Sequence, residues 1–504
     1  GGFMEENKTE CVVVSSVQDL GRVDFDTNYS LQIEDGVEVD RVLSSETFVS
    51  DTKFDILDKK AVFSGKLTTR IVFLDKVGVY VTAVGSTTFS HSFNDAQIVD
   101  GGTLYARDIV TSTLTSVEGG DFVVKANTSA NIIQYSKQNH CVVSKTQDNI
   151  YCKTEDVSLL HTEQMLDSSF NAECELEVKG NISKILSSEL KFVQTDCCAL
   201  ENAVAISGQL LAQIVYSIED ENGVKVCSIA DSCMVKGEIE AQNVDMDSIV
   251  DIYSAVDNTK TIVNTTLNDN TTAINLESTI VVNGVVYKMV NQSTIVDAYS
   301  TKNAITTNAS EKSLTYVKRL DSISESLTGE VRCEGSAPDE ILAVGHNEVS
   351  ITRKNISRGQ LTIEGVVEGN VLYRAEDGSV VNQAYAVPFQ IEQEVDDMMY
   401  KCVQLHCAVD NIKSKIKRAD LITLDISLNI FGALYYIENR ILVSALEVGE
   451  PISFGNAAYQ IYIAQPNEDL WSLCKRLKVD ANVLSSLNNL ELPLKGGERI
   501  FVQR

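Results

Sequence analysis

Gly365-Val366-Val367-Glu368-Gly369-Asn370-Val371-Leu372-Tyr373 is one of three related runs in this chain, and its reading decides the fold. The other two are Gly65-Lys66-Leu67-Thr68-Thr69-Arg70-Ile71-Val72-Phe73 and Gly208-Gln209-Leu210-Leu211-Ala212-Gln213-Ile214-Val215-Tyr216. In each, an aromatic residue follows the glycine eight positions later. The second, fourth, sixth and eighth residues after the glycine read Val-Gly-Val-Tyr, Leu-Thr-Ile-Phe and Leu-Ala-Ile-Tyr. A period of two with one mainly apolar face predicts a β-strand, three times over.

Outward from these runs the agreement continues. Lys76-Val77-Gly78, Asn222-Gly223 and Asp377-Gly378 sit at matching places, and such pairs turn hairpins because they accept positive φ. Partner strands are expected through Phe89 and Phe93, through Met234, and through Phe389 and Ile391. Ala255-Val256-Asp257-Asn258 then matches Ala408-Val409-Asp410-Asn411. Closing strands are expected to end at Tyr135, Tyr287 and Tyr435, the last two after Gly284-Val285-Val286 and Gly432-Ala433-Leu434. Glycine to tyrosine, the spacings are 70, 79 and 70 residues, which marks internal copies. With the strands before each glycine, a unit of roughly 150 residues suits a β-sandwich-like module with its own core. The polar stretch from Thr301 to Asn308 is expected to link the second and third units.

Bulk properties agree with a mainly β, folded chain of several domains. Its 504 residues exceed one ordinary core, only 5 are proline, and hydrophobic residues make up 44%. The net charge of -29 lies outside the C-terminal segment, since residues 457–504 carry six Lys/Arg against five Asp/Glu. A surface this acidic repels nucleic acid and anionic lipid. No apolar run is long enough for a transmembrane helix. Met4-Glu5-Glu6-Asn7-Lys8 does not open a signal peptide, and Gly1-Gly2-Phe3 before it reads as a cloning remnant. Synthesis in the cytoplasm is expected.

A search for catalytic chemistry returns no phosphate loop, HExxH, GxSxG or GxGxxG, so no catalytic residue and no cofactor is assigned and the chain is expected not to be an enzyme. The 12 cysteines show no zinc-site spacing and are read as free thiols. The histidines His91, His140, His161, His346 and His406 share no arrangement with a nucleophile. Asp245, Asp247 and Asp251 lack the glycine and closing glutamate of a calcium loop and are read as a solvated acidic stretch, so no metal site is expected.

The last 48 residues, Ala457 to Arg504, read differently. Residues 460–464 alternate as a strand that Pro466-Asn467 breaks, and the acidic pair Glu468-Asp469 is expected to begin a helix. Leu470, Leu473, Cys474 and Leu477 recur at helical spacing. A second helix is expected over Ala481 to Leu487 with Asp480 as N-cap. Gly496-Gly497 then turns the chain into a strand from Arg499 to Val502. Strand, helix, helix, strand follows.

Three segments of this tail resemble the LysM family: Tyr462 through Cys474, Leu487-Asn488-Asn489, and Leu494-Lys495-Gly496-Gly497-Glu498-Arg499-Ile500. The resemblance implies a groove between the first strand-helix loop and the middle loop, which in that family takes N-acetylglucosamine-containing glycan. On this chain the groove residues would be Asn467, Glu468, Asp469, Leu470, Trp471, Asn488, Asn489 and Leu490. The family's Gly-Asp-Thr is here Asn467-Glu468-Asp469, and an acidic pair cannot supply a threonine's hydroxyl donor, which favours a protein partner over glycan.

The whole architecture resembles the SipL-like SPOCS-domain plus LysM proteins of endospore-forming Clostridia. The third copy carries the clearest motif, with Pro338-Asp339-Glu340-Ile341-Leu342-Ala343-Val344, Gly359 through Gly365 and Asn370-Val371-Leu372-Tyr373; the first keeps Asp55-Ile56-Leu57 before Gly65. The resemblance implies SPOCS-like units over residues 5–155, 156–305 and 306–452 after a start at 1–4, with the LysM domain at 457–504. It further implies a mother-cell protein at the forespore surface that scaffolds the spore coat by binding a SpoIVA-like morphogenetic ATPase. The alternative is a binder of peptidoglycan or cortex glycan.

Overall fold

The computed structural model describes residues 8–146, 149–221, 223–266, 271–395, 400, 402–418, 420–455 and 458–503. Residues 1–4 and Asn222 lie outside the described residues. The first strands are β1 (Lys8–Gln32), β2 (Val39–Leu57), β3 (Lys60–Asp75), β4 (Tyr80–Asn94), β5 (Thr103–Glu118) and β6 (Asp121–Lys145). They form two antiparallel sheets, ordered β2-β3-β4 and β1-β6-β5. The next six are β7 (Ile150–Lys179), β8 (Lys184–Leu200), β9 (Ala203–Asp220), β10 (Gly223–Glu240), β11 (Ile249–Thr266) and β12 (Thr271–Ser300). After them come β13 (Asn303–Arg332), β14 (Pro338–Ser357), β15 (Gln360–Ala375), β16 (Val380–Glu394), β17 (Cys402–Arg418) and β18 (Leu421–Pro451). Their sheet orders, β8-β9-β10 with β7-β12-β11 and β14-β15-β16 with β13-β18-β17, follow the same pattern.

The three glycine-to-aromatic runs lie on the middle strands β3, β9 and β15. Their alternation sends Leu67, Ile71 and Phe73, then Leu210, Ile214 and Tyr216, then Val367, Val371 and Tyr373 into the cores. The glycine that opens each run is a place where an aromatic ring lies over the backbone. Gly65 and Gly365 are opposite Phe89 and Phe389 in register, and a Cβ on either would collide with the ring. In the second set the ring over Gly208 is Phe192, from the strand on the other side.

The strands β6, β12 and β18, the middle strands of their sheets, overturn one expectation. They do not end at Tyr135, Tyr287 and Tyr435 but run on to Lys145, Ser300 and Pro451. A strand of 30 residues such as β7 reaches about 100 Å at the usual rise, far beyond a sandwich. Past each tyrosine the β1/β6, β7/β12 and β13/β18 pairs continue as two-stranded ribbons. The ribbons pack on each other through Val14, Val157, Leu159 and Leu314, and further out through Val143, Ile295, Ala298, Val443 and Leu446. The three tyrosines meet where this stem begins. The supposed linker from Thr301 is corrected too, since Asn303 to Asn308 are already in β13. The expected boundaries at 155/156 and 305/306 lie within the spans of β7 and β13.

Beside the tyrosines lies a buried polar cluster. Counted from the residues paired with the tyrosines, Tyr105, Asp251 and Gln404 share one register position, and Arg107, Tyr253 and His406 the next inward-facing one. Arg107 Nη1 donates to Asp251 Oδ1 at 2.9 Å and Arg107 Nη2 to the Tyr135 hydroxyl at 2.7 Å. The Tyr135 and Tyr435 hydroxyls donate to Asp251 Oδ2 at 3.0 and 2.8 Å. Burial alone would raise the Asp251 carboxyl, but Arg107 and His406 outweigh it and hold it below the usual range. Asp251 is therefore no part of a solvated acidic stretch.

The C-terminal module consists of β19 (Tyr459–Ile463), α1 (Leu470–Leu477), α2 (Ala481–Leu487) and β20 (Arg499–Gln503). Asp480 caps α2 by accepting from the amides of Asn482 and Val483. Leu473, Cys474, Leu477, Leu484, Leu494, Ile500 and Val502 form its core, which Tyr299 from β12 completes.

Candidate partner-binding site on the C-terminal module

The loop after β19 is built around Asn467, whose φ of 61° suits asparagine. Its amide donates to the Leu494 carbonyl at 2.8 Å, and the Leu494 amide donates to the Glu468 carbonyl at 3.3 Å. Glu468 is only 9% exposed. Its carboxylate accepts from the Gln465 amide at 3.2 Å and ion-pairs with Arg476, whose guanidinium lies 4.1 Å from the Tyr462 ring centre. Glu468 thus ties the loop to α1. The expected acidic helix start reduces to Asp469, which is exposed and caps α1 by accepting from the Ser472 amide at 2.8 Å. Its contacts with Ser472 hold its carboxyl below the usual range.

Trp471 faces the stem. Its Nε1–H donates to Asp297 Oδ2 at 2.9 Å, and its ring stands edge-on to Tyr299 with centres 5.1 Å apart. Lys475 donates to Asp297 Oδ1 at 2.5 Å, the Tyr299 hydroxyl donates to the Val479 carbonyl at 2.9 Å, and Tyr151 stacks on Tyr299. The module therefore caps the end of the β7/β12 ribbon. Asn488 is a structural amide, donating to the carbonyls of Leu484 and Phe501 and accepting from the Phe501 amide at 2.7 Å. Leu470 and Leu490 pack half-buried against the module core, and Asn489 is exposed. Asn467, Asp469 and Asn489 are left as the solvent-facing members of the anticipated groove.

The larger open surface lies elsewhere. Ile461 pairs with Phe501 across β19 and β20, flanked by Tyr459 opposite Gln503 and Ile463 opposite Arg499. Tyr459, Ile461, Ile463 and Phe501 are 64%, 60%, 53% and 48% exposed, while Ile500 and Val502 on the other face are 1% exposed. Four large apolar side chains on one face of a two-stranded sheet form a contiguous patch, the kind of surface that marks an interaction site. The signal was present in Tyr459-Gln460-Ile461-Tyr462-Ile463, where the residues of the outward face are as apolar as a buried face would be.

Among the described residues, no helix is long and apolar enough to cross a membrane. Residues 339–417 match the family model described as SipL, SPOCS domain. The match runs from β14 through β17 and supports a SipL-like, sporulation-related coat protein with a role in protein interaction. No curated protein and no solved structure matches the chain.

Proposed function

We propose that the chain is a non-enzymatic scaffold of the spore envelope, synthesised in the mother cell, which organises coat assembly at the forespore by binding a SpoIVA-like coat-base ATPase. The SPOCS match over residues 339–417 is the observation that carries this reading. The other two strand sets would be further SPOCS-like units, and the tail a LysM-like module that meets the partner. The exposed strip of Tyr459, Ile461, Ile463 and Phe501 supports a protein partner, because apolar anchors ringed by polar residues concentrate binding energy. Its rim holds Arg499 and Gln503.

The test is recruitment of the ATPase by the full chain carrying Ile461→Asp with Phe501→Asp. Ile461 and Phe501 face each other across the strands, so the two carboxylates should cost about 1–2 kcal/mol, and unchanged Trp471 emission checks that the tail stays folded. Recruitment should fall at least about tenfold. Unchanged recruitment would reject the strip as the contact, and tight binding of N-acetylglucosamine oligomers that the same substitutions leave intact would favour a glycan-reading role for the tail.

A further inference from the structure

Beyond the buried polar cluster the three strand sets enclose a chamber of about 240 Å³. It lies between the strands β5, β11 and β17 on one side and β2, β8 and β14 on the other, so every set contributes to its wall. Its charged lining is Asp108, Glu189, Lys191 and Glu348, three carboxylates against one ammonium. Asp108 owes its place to a bulge: the register of β5 slips between Arg107 and Val110, and Asp108 takes a φ of 49°. In β11 and β17 the slips come later, at Val256/Asn258 and Val409/Asn411, and Ser254 and Cys407 stand where Asp108 does. Burial would raise the Asp108 carboxyl, but His406, Asn131 and Arg107 hold it low, so it stays charged.

One buried donor on the wall lacks an acceptor among the described residues. Gln194 is 3% exposed; its Oε1 accepts from the Ser254 hydroxyl at 2.8 Å, and its Nε2 has no hydrogen bond. His406 is also 3% exposed. Its Nε2 lies 3.1 Å from Arg107 Nη1, and its Nδ1 faces the Asp108 carboxylate with Oδ1 3.6 Å away. Buried donors without acceptors are costly and uncommon. Phe48, Phe192, Tyr253 and Phe431 supply aromatic wall, which attracts cations.

We propose that this axial chamber binds a small organic compound bearing a primary ammonium at one end and a hydroxyl or carbonyl acceptor at the other. The ammonium meets the carboxylates, and the acceptor takes the hydrogen bond that Gln194 Nε2 offers. At about 30 Å³ per water-sized group, the chamber holds a chain of roughly seven or eight heavy atoms. Glu189, Lys191 and Glu348 are partly exposed, so a ligand enters on their side.

The experiment is calorimetric titration of the full chain with 5-amino-1-pentanol, beside 1,5-pentanediol and 1,5-diaminopentane. Saturable binding of the amino alcohol with a Kd of about a millimolar is expected, at least about tenfold weaker for the diol, which lacks the charge, and weaker also for the diamine, which has no acceptor for Gln194 Nε2. Glu189→Gln should weaken it about tenfold, and Glu348→Gln repeats that test should the first variant not fold. Gln194→Met, near in volume, should erase the preference for amino alcohol over diamine. No saturable heat up to about 50 mM, equal binding of diol and amino alcohol, or variants that bind as the parent does would each overturn the proposal and leave a chamber that holds only water.

Discussion

Leu67, Leu210 and Val367 hold one place in three sheets, as do Ile71, Ile214 and Val371, and each trio is chemically uniform. Arg107, Tyr253 and His406 also share one place, relative to the tyrosine of their own set, and have nothing chemically in common. Sheet cores face inward within a set and need only volume and apolarity, so equivalent positions keep equivalent residues. The axis faces the other two sets. Three arginines there would repel each other in a low dielectric, whereas one arginine and one aspartate, joined by the Tyr135 and Tyr435 hydroxyls, attract and bond one another. Carrying all three sets on one chain allows this asymmetry.

The largest effect should therefore come from the axis. Arg107→Met leaves Asp251 buried without its counter-charge and should cost about 3–5 kcal/mol in urea unfolding. Adding Asp251→Leu removes the orphaned charge and should restore most of that loss. A single-variant cost below about 1 kcal/mol would place the pair among ordinary surface ion pairs and dissolve the contrast between core and axis. A smaller effect belongs to the strand that carries Tyr287. Gly284 has a φ of 147°, and a Cβ there would strike the carbonyl of Asp251. Gly284→Ala should cost about 1–3 kcal/mol. At the equivalent position of the first set stands Ile132, so Ile132→Ala should lose by cavity formation alone, without backbone strain.

The same division explains what could be read from the chain. Gly365 to Tyr373 announces a strand because alternation is local, and Asp480 announces α2 because a cap acts within three residues. The tetrapeptides Ala255-Val256-Asp257-Asn258 and Ala408-Val409-Asp410-Asn411 matched for a reason visible only in the structure: both are bulges, with Asp257 and Asp410 as the extra residue. The axis left no local trace, because Arg107, Asp251 and His406 are far apart in sequence and each sits in an unremarkable strand. The stem was misread because Thr301 to Asn308 is mostly polar, which looks like a linker when its partner strand is unknown. Trp471 was assigned to a groove because nothing in its neighbourhood names Asp297 or Tyr299 as the surface it meets.

The smallest expected effect concerns the joint between tail and stem, and it sharpens the comparison by asking whether a third region is as firmly locked as the axis. Burial would raise the Asp297 carboxyl, but the hydrogen bonds from Lys475 and Trp471 outweigh it, so its folded value lies below the ordinary one. A depressed value means that Asp297 contributes docking stability above the ordinary carboxylate range, about pH 4, and that this contribution disappears as pH falls through the lower, docked value. Asp480, held low chiefly by the Tyr151 hydroxyl, acts in the same direction. Trp471 is the chain's 1 tryptophan, so its fluorescence reports the joint directly. Acidification below about pH 4 should shift its emission to the red before the far-ultraviolet signal of the sheets is lost. Asp297→Asn should show the red-shifted emission already at neutral pH and lack most of the acid step, with the remainder due to Asp480. An Asp297→Asn protein with parent emission and an unchanged acid step would mean that the Tyr151 and Tyr299 rings hold the tail alone, making the joint a hydrophobic contact like the sheet cores and unlike the axis.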